Sequence, residues 1–393
     1  MQFCGIICEF NPFHNGHKYL IEEAKKQTKN NIICLMSGDF VQRGEPAIQE
    51  KYLRAKIAIE NGADIVLELP TVFACSNAEN FAYGAVRILN SLGVKRLAFG
   101  VENANLDILQ KIAEIKYKNS LSFQNSFKNE VENGINFNTA LKRAIAKEFG
   151  DEQVLEILSK PNNILAIEYL TAIKKLGSKI EAVAIQRADN GYNSITSRGQ
   201  FLSASGIREM LLINNDNVSD FIPYKILNEE LFNSNCRSKF DALALYKLRT
   251  LTAKELEKMY DYNEGIEYRI KDFADKTTDL ENLAKLVSTP RYREARVKKL
   301  IIYPLLGITK NKAELAKKIK PFAKVLAISK NKKEILSKLP KSKINLVVPN
   351  KDYENLQINQ KKIMEIDLSA SNIYNLTINK HNNNDKKTGT LFL

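Results

Sequence analysis

The sequence predicts an α/β protein with a doubly wound parallel sheet, followed by a helical domain and a small α/β unit. Up to about residue 215, short apolar runs typical of buried strands alternate with amphipathic stretches at helical spacing, which indicates a parallel sheet. The strand-like runs are Phe3 to Cys8, Ile32 to Met36, Ile65 to Leu69, Arg96 to Phe99 and Glu181 to Ile185. Because ligands of such sheets bind outside the carboxyl ends of the strands, the segments that follow these runs are candidate ligand contacts.

The chain changes character after residue 215. Residues 216–320 show helical periodicity, most clearly from Tyr246 to Met259 and from Ala284 to Leu306. Short β-like runs return at Val325 to Ile328, Ile344 to Val348 and Ile363 to Ile366. The predicted domains are therefore 1–215, 216–320 and 321–393, and the polar stretch from His381 to Asp385 is expected to fray.

Composition is typical of a globular protein. The chain has 393 residues, of which 44% are hydrophobic and 26% charged, enough for two or three domains with their own cores. No apolar run approaches the length of a membrane span, and Met1 to Cys4 lacks a basic leader, so we expect a cytoplasmic protein. The five cysteines show no paired spacing, which predicts free buried thiols.

Two of the three histidines, His14 and His17, flank Gly16 directly after the first strand-like run. A helix that begins at Gly16 would present unpaired amides and the positive end of its dipole, which suits a phosphate group. Imidazoles on either side could donate hydrogen bonds to oxygens that gain charge during displacement at phosphorus. The pattern favours a nucleotide site.

Two other interpretations of the histidine pair remain open. The histidines could cap a helix end and contact solvent, or they could bind zinc with Cys8 as a third ligand. The glycine and the preceding strand favour phosphate, whereas no acid or cysteine follows at ligand spacing. We therefore predict no metal site formed by side chains.

The motif His14-Asn15-Gly16-His17 resembles the H-x-G-H signature of the nucleotidylyltransferase superfamily, whose Rossmann-like domain binds ATP. Phe201 to Arg208 is similar to the S-[ST]-x-x-[IL]-R segment of that superfamily. Four longer strings in this order resemble the bacterial tRNA(Met) cytidine acetate ligase family: Glu9 to His17, Ser37 to Ala47, Gly62 to Pro70 and Pro161 to Tyr169. The match is close over the N-terminal half and rests mainly on length and basicity beyond it.

The resemblance implies an ATP-dependent ligase that activates acetate as acetyladenylate and acetylates N4 of the wobble cytidine of elongator tRNA(Met). ATP is then a substrate, accompanied by Mg²⁺, and no tightly bound cofactor is expected. The implied ATP contacts are Ile7, Cys8, Glu9, Phe10, Asn11, Pro12, Phe13, His14, Asn15, Gly16, His17, Lys18, Tyr19, Leu20, Gly100, Asn162 and Arg187, with Ser203, Ser205 and Arg208 on the β and γ phosphates. Asn163 is an identical neighbour of Asn162, so this contact could fall on either residue.

The predicted catalytic residues are His14, His17, Asp39 and Arg43. Asp39 could approach a metal or the substrate amine, or it could cap a helix. Arg43, and also Lys51, could hold acetate or pyrophosphate. Glu9 beside a phosphate would need a cation or ribose hydroxyls as partner, and Asn11 could orient His14.

The net charge of +14 and the pI near 9.3 suggest an anionic partner larger than ATP. Between Pro290 and Asn350 there are 17 Lys or Arg residues against 3 Glu, which exceeds what a generally lysine-rich chain would produce by scatter. We predict that tRNA contacts Arg291, Arg293, Arg296, Lys298 and Lys299.

Three function classes remain at this point. Besides the ligase, the runner-up is a nucleotidylyltransferase that adenylates a phosphorylated cofactor precursor, and the third is an RNA-binding protein without catalysis. The basic helical segment favours an RNA substrate over a small molecule, and the histidine pair favours catalysis over binding alone. Nothing in the sequence indicates an oligomeric state.

Overall fold

The computed structural model describes residues 2–187, 201–212, 216–227, 231–332, 334–340, 342–348, 351–380, 385 and 388–393. Its strands are β1 (Phe3–Cys8), β2 (Asn31–Ser37), β3 (Phe40–Val41), β4 (Glu45–Pro46), β5 (Ile65–Leu69), β6 (Arg96–Val101), β7 (Glu181–Gln186), β8 (Phe322–Ile328), β9 (Asn345–Val347) and β10 (Leu391–Phe392). The helices of the first half are α1 (Asn15–Thr28), α2 (Lys51–Glu60), α3 (Thr71–Ala74), α4 (Ala78–Ser91), α5 (Leu106–Lys118), α6 (Leu121–Glu132), α7 (Phe137–Phe149), α8 (Val154–Ile157), α9 (Pro161–Lys175) and α10 (Ala204–Leu212). The second half contains α11 (Ser234–Thr250), α12 (Ala253–Leu256), α13 (Ile266–Ala274), α14 (Leu280–Val287), α15 (Glu294–Leu306), α16 (Lys310–Lys318), α17 (Ile335–Lys338), α18 (Lys351–Glu354) and α19 (Ile358–Thr377).

The central sheet confirms the predicted fold class. Its strand order is β10-β8-β5-β2-β1-β6-β7, with β9 beside β8, and β1 pairs in parallel with both β2 and β6. The chain proceeds from β1 through β2 to β5 on one side and then returns to β6 and β7 on the other. This reversal opens a crevice at the carboxyl ends of β1 and β6, where doubly wound sheets bind their ligands.

The C-terminal strands join this same sheet. β8 pairs antiparallel with β5, and β9 and β10 pair in parallel with β8. The predicted unit 321–393 therefore has no separate sheet among the described residues. The domain limits at 215 and 320 remain a prediction. The strand predicted from Ile363 to Ile366 is wrong: it lies inside α19, because a four-residue apolar run fits a buried helix as well as a strand.

Two hydrophobic cores cover the two faces of the sheet. Alternate residues of β1 belong to different cores, with Ile7 in one and Ile6 in the other, as expected when successive side chains of a strand point in opposite directions. The core that contains Ile7 continues without a break into helices α11 to α16. The helix predicted from Ala284 to Leu306 is divided into α14 and α15, and Pro290 lies in the connection.

Arg54 connects the carboxyl ends of β1 and β2 to the start of α2. Its side chain is fully buried, and its guanidinium donates hydrogen bonds to the carbonyl oxygens of Glu9 (2.5 Å), Ser37 (3.2 Å), Gly38 and Gln49 (2.9 Å). Buried carbonyls without a donor cost free energy, so one arginine satisfies groups that the turns leave unpaired. Arg54 thereby fixes the backbone from which the motif after β1 begins.

A buried ion-pair cluster attaches the end of the chain to the sheet. The Lys51 ammonium lies 2.8 Å from both Glu68 and Asp385 and donates to the Ser371 hydroxyl at 2.8 Å. Burial pushes the pKa of Asp385 upward, but Lys51 and Lys324 outweigh burial and hold that pKa below its usual range. Asp385 is therefore buried, contrary to the expectation that it frays, while His381 to Asn384 lie outside the described residues.

Two further expectations concern the whole chain. All five cysteines are free and buried, which confirms the prediction of unpaired thiols. In the described part of the chain, no helix combines the length and the apolar character needed to cross a membrane.

Replacement of Arg54 by alanine should lower the free energy of unfolding by about 3 kcal/mol, because several buried carbonyls lose their donor. Arg54→Lys should fall between this variant and the wild type, since an ammonium lacks the planar array of donors. Urea unfolding followed by circular dichroism measures the effect. The exposed Arg43→Ala serves as control and should shift stability by less than about 0.5 kcal/mol, and equal losses in Arg54→Ala and Arg43→Ala would contradict the assigned role.

Candidate nucleotide-binding site

A cavity of about 220 Å³ lies at the crevice between β1 and β6. Its wall is formed by the end of β1, the start of α1, the ends of β6 and β7, helix α9 and the start of α10. The structure thus brings together residues that the sequence analysis selected from distant segments. The predicted ATP contacts on this wall are Ile7, Cys8, Glu9, Phe10, Asn11, His14, Gly16, His17, Tyr19, Leu20, Gly100, Asn162, Arg187 and Arg208.

The two histidines cap the N-terminus of α1 reciprocally. The Gly16 amide donates to Nδ1 of His14 at 3.0 Å, and the His14 amide donates to Nδ1 of His17 at 3.2 Å. Their rings stack with centroids 3.7 Å apart. Because a neutral imidazole that accepts at Nδ1 carries its proton on Nε2, both rings are Nε2–H tautomers.

Gly16 is required by the closeness of this arrangement. A Cβ at position 16 would lie 2.9 Å from Cε1 and 3.0 Å from Nδ1 of His14. A methyl group there would push the His14 ring away from its stacked position. The glycine thus serves side-chain packing, in addition to the close backbone approach that the sequence pattern suggested.

His17 is held neutral. Burial lowers its pKa well below 6.5, and the positive charge of the nearby Arg187 also lowers it. The Phe10 and Phe13 rings pack against the His17 ring, with centroids 4.9 Å and 5.6 Å away. His17 is therefore a hydrogen-bond donor without positive charge near neutral pH.

Glu9 and Asn11 support the loop between β1 and α1. The Glu9 carboxylate accepts a hydrogen bond from the Gln42 amide at 2.6 Å. Burial raises the pKa of Glu9, an effect opposed by the Gln42 amide and by Arg54. Asn11 accepts from the Ile48 amide at 2.7 Å through its side chain, and from Arg208 at 2.7 Å through its carbonyl. Asn11 thus connects the loop to two other segments, whereas the sequence suggested that it orients His14.

Asp39 occupies the capping position that was the alternative to a catalytic role. One carboxylate oxygen accepts from the Lys51 amide at the start of α2 (3.1 Å), and the other accepts from the Ser371 hydroxyl (2.7 Å). Asp39 is only 4% exposed and does not line the cavity. Lys51 lies in the ion-pair cluster around Glu68 and is likewise absent from the wall, so the structure does not bring it to a position that could hold acetate or pyrophosphate.

Arg43 lies in the turn between β3 and β4. It is exposed and lines a second cavity next to the first. Its neighbour Gln42 lines the nucleotide cavity and donates its backbone amide to Glu9. Arg43 is thus near the nucleotide cavity but not on its wall.

Some of the predicted ATP contacts lie behind the wall or beside it. Asn15 donates hydrogen bonds to the Phe221 and Asp220 carbonyls, and the hydroxyls of Ser203 and Ser205 are 3.1 Å apart. Ser205 lines the second cavity. The contacts absent from the wall are Pro12, Phe13, Asn15, Lys18, Ser203 and Ser205.

The far wall contains residues that the sequence analysis missed. Asn162, Leu165 and Tyr169 lie on one face of α9 and line the cavity together. Their spacing of three and four residues, starting from a predicted contact, is the signal that could have identified them. The missed wall residues are Gln42, Phe81, Phe99, Leu165, Tyr169, Ile185, Gln186, Phe201, Leu202 and Ala204.

The structure distinguishes Asn162 from Asn163. Asn162 lines the cavity, and its side-chain amide donates to Glu102 at 2.7 Å. Asn163 is buried, and its side-chain oxygen accepts from the amides of Glu102 and Asn103 at 3.0 and 3.1 Å. Asn163 therefore holds the loop after β6, and Asn162 is the one that faces the cavity.

The described residues contain no group of three or more His, Cys, Asp or Glu side chains that could hold a metal ion. The Cys8 thiol, which the zinc interpretation required, points to the Leu35 carbonyl oxygen at 3.7 Å. Burial also raises the pKa of this thiol well above its ordinary value, which disfavours the thiolate that zinc needs.

The predicted tRNA contacts divide into two groups. Arg291 and Arg293 are exposed, although Arg291 forms an ion pair with Glu264 at 2.8 Å and Arg293 hydrogen-bonds Asn136. The other three are partly buried: Arg296 binds Asp261 with two nitrogens at 2.8 Å, Lys298 lies 3.2 Å from Glu294, and Lys299 donates to the Ser76 carbonyl. Acidic side chains therefore pair with part of this basic segment: Glu264 and Asp261 come from a segment distant in sequence, whereas Glu294 lies on the same helix as Lys298.

Comparisons with known proteins agree with this geometry. The profile of the HIGH nucleotidyl transferase family matches residues 1–389. A tRNA(Met) cytidine acetate ligase of Thermoanaerobacter sp. (strain X514) is 37% identical over 96% of this chain and 95% of its own length. One from Thermosipho africanus (strain TCF52B) is 34% identical over 100% of this chain and 98% of its own.

Solved structures show the same architecture. Crystal structures of Thermotoga maritima TmcAL, one of the apo form and one bound with alpha-thio ATP, superpose with TM-scores of 0.90 and 0.89. Each is 28% identical to this sequence and covers 100% of both chains. The chain therefore belongs to the HIGH nucleotidyl transferase family and, within it, to the tRNA(Met) cytidine acetate ligases.

Proposed function

We propose that this protein is an ATP-dependent ligase that activates acetate as acetyladenylate and then acetylates N4 of the wobble cytidine of elongator tRNA(Met). The observation that carries the proposal is the reciprocal histidine cap on the wall of the crevice between β1 and β6, in a chain that matches ligases of this name over nearly its whole length. The same matches favour the ligase over the runner-up, an enzyme that adenylates a phosphorylated cofactor precursor.

In the first step, a carboxylate oxygen of acetate attacks the α-phosphorus of ATP, and the bond to the β-phosphate oxygen breaks to release pyrophosphate. Negative charge accumulates on the phosphoryl oxygens during this displacement. We propose that the Nε2–H groups of His14 and His17 donate to these oxygens, since both Nδ1 atoms accept backbone amides. The amides at the start of α1 lie at the same place and add the positive end of the helix dipole.

In the second step, N4 of cytidine attacks the acetyl carbonyl carbon, the bond to the AMP oxygen breaks, and N4 loses a proton. Adenylation is needed because a carboxylate is a poor acyl donor and AMP is a stable leaving group. The enzyme must therefore hold the adenylate in place until the tRNA arrives.

The nucleotide is ATP, as the TmcAL structure with alpha-thio ATP supports. We infer that Arg208 lies at the β and γ phosphates and that Ser203 and Ser205 position the start of α10 there. Mg²⁺ bound through the phosphates needs few protein ligands, so its presence is compatible with a wall on which Glu9 supplies a carboxylate. Because tRNA and ATP meet in the cytoplasm, we infer that the enzyme acts there.

The tRNA surface is proposed from charge and exposure. Arg291 and Arg293 precede α15 and are exposed, whereas Arg296, Lys298 and Lys299 are partly buried against their protein partners. Burial also lowers the pKa of Lys299, which indicates a structural position. We therefore assign phosphate contacts to the first two residues and structural support to the other three.

The experiment that tests the function has two stages. Pyrophosphate release from ATP should depend on acetate, and labelled acetate should then appear on a tRNA pool at cytidine. Propionate should be a poor substrate, because one added methylene costs about 1–3 kcal/mol in a pocket shaped for acetate. Turnover of ATP with phosphopantetheine or nicotinate mononucleotide at a rate above that with acetate would overturn the assignment.

The replacement His14→Asn separates capping from catalysis. Asparagine is a favourable N-cap, so the variant should keep nearly wild-type stability, but it lacks the Nε2–H donor. Acetate-dependent pyrophosphate release should fall by about 100- to 1,000-fold, the usual effect of removing one donor to a developing charge. His14→Ala should lose both stability and activity. If His14→Asn released pyrophosphate at the wild-type rate, His14 would have only the capping role.

The pH dependence of His17 follows from its neutral state. Because its pKa is lowered well below 6.5, the donor should not change protonation between about pH 6 and 8. The ratio of wild-type to His17→Ala rates of pyrophosphate release should therefore be constant over this range, and the ratio cancels the titration of ATP itself. A ratio that changed with a midpoint near pH 6.5 would show an imidazole of ordinary pKa.

Replacement of Arg291 and Arg293 by alanine should weaken tRNA binding and reduce the slope of log affinity against log salt by roughly one unit for each phosphate that the protein no longer neutralises. A suitable control is Arg96→Ala, because Arg96 is also paired with a glutamate, Glu181 at 3.1 Å, but lies at the amino ends of the strands. The control should leave the slope unchanged. An unchanged slope in the double variant would place the RNA on another surface.

A further inference from the structure

A second, larger cavity of about 610 Å³ lies next to the nucleotide cavity. It is enclosed by the turn between β3 and β4, by α10, by the first half of α11, by the start of α14 and by α15. Arg208 lines both cavities, so this one side chain forms part of the wall between them. A cavity of this volume can hold a nucleotide-sized ligand.

One carboxylate in this cavity has an unmet hydrogen-bonding capacity. Asp241, on α11, is only 6% exposed, and among the described residues its Oδ1 atom has no hydrogen-bond partner. Burial raises its pKa to about 6, while Arg237 and a hydrogen bond from the Leu280 amide counteract the rise. The Oδ1 atom itself is enclosed by protein, whereas the Asp241 side chain lines the cavity, where a ligand that brings a donor can bond to the carboxylate.

The remaining wall limits the kind of ligand. Phe240, Leu280, Ile301 and Ile302 provide apolar surface suited to the faces of a flat ring, and the cationic side chains of Arg43 and Arg237 suit a phosphate group. A nucleotide whose base has an exocyclic amino group matches all three features: the carboxylate acceptor, the apolar surface and the cationic side chains. Cytosine offers its N4 amino group as a donor at this edge, whereas uracil offers the O4 acceptor, which a carboxylate would repel.

We propose that this second cavity receives the acceptor cytidine, turned out of the anticodon loop, and that Asp241 accepts a hydrogen bond from its N4 amino group. The inference rests on the proposed function and names the residue that would distinguish the substrate base. Enzymes that act on a base commonly extrude it into a pocket and read its Watson–Crick edge there. Because Arg208 lines both cavities, such a base would lie next to the nucleotide cavity.

The hydrogen bond to Asp241 is compatible with the reaction. It lies in the plane of the base, whereas N4 attacks the acetyl carbon from above that plane. One N4 hydrogen can therefore remain bonded to Asp241 while the adenylate approaches the face of the amino group. We assign Asp241 a role in distinguishing cytidine from uridine and no role in proton transfer.

The test compares two anticodon stem-loop RNAs that differ only in cytidine or uridine at the acceptor position. The wild type should bind the cytidine loop more tightly by roughly 10- to 100-fold, as expected for a hydrogen bond to a charged group. Asp241→Ala should bring the ratio of the two affinities close to one. Asp241→Asn should also lower the ratio, because a side-chain amide can accept from cytosine N4 or donate to uracil O4.

The control is Glu281→Gln. Glu281 lines the same cavity, but its side chain is 70% exposed and forms an ion pair with Lys285 at 3.1 Å. This variant should keep the wild-type ratio. Thermal unfolding separates binding from stability: Asp241→Asn should melt at or above the wild-type temperature, because it removes an unpaired buried carboxylate.

The results that would overturn the role of Asp241 differ from those that would overturn the proposed function. If the wild type released no acetate-dependent pyrophosphate, the ligase assignment itself would fail. If it did so, but both Asp241 variants kept the wild-type ratio of cytidine to uridine affinity, the base would be read elsewhere and the proposal would be overturned. Equally weakened affinity for both loops with an unchanged ratio would likewise overturn it, because Asp241 would then support the RNA surface without reading the base.

Discussion

The candidate site depends on the two hydrogen bonds by which His14 and His17 cap the first helix. Each bond uses an Nδ1 atom, so capping and tautomer are fixed together. The same bonds hold the stacked rings at the end of α1, where the helix dipole is positive. A structural requirement of the helix thereby orients the groups that we assign to catalysis, and Gly16 leaves the space that the arrangement needs.

The sheet positions this cap relative to the other parts of the site. The order β2-β1-β6 places the loop after β1 beside the ends of β6 and β7, which supply Gly100 and Arg187. Arg54 fixes the ends of β1 and β2 from behind, and Asp39 fixes the start of α2. The polar segment from Ser37 to Ala47 therefore supports the backbone of the site, and its exposed Arg43 lines the second cavity.

The strands around the site could be predicted because each is a short apolar run, and their carboxyl ends indicated the correct neighbourhood for His14, Gly100 and Arg187. Two kinds of feature could not be predicted from the sequence. The burial of Lys51, Glu68 and Asp385 depends on an ion-pair cluster that joins the last segment of the chain to the first, which no local pattern encodes. The acidic partners of Arg291 and Arg296, and the placement of Ile363 in a helix, likewise depend on tertiary packing.

The tautomer of the two capping histidines tests the central claim most directly. The chain has three histidines, so ¹⁵N-labelled imidazoles can be resolved by NMR and assigned with single His→Asn replacements. We predict that His14 and His17 are both neutral at pH 7, with the proton on Nε2 and an unprotonated Nδ1. A signal from either residue that showed a protonated Nδ1, as in the other tautomer or in imidazolium, would contradict the reciprocal cap and the catalytic role derived from it.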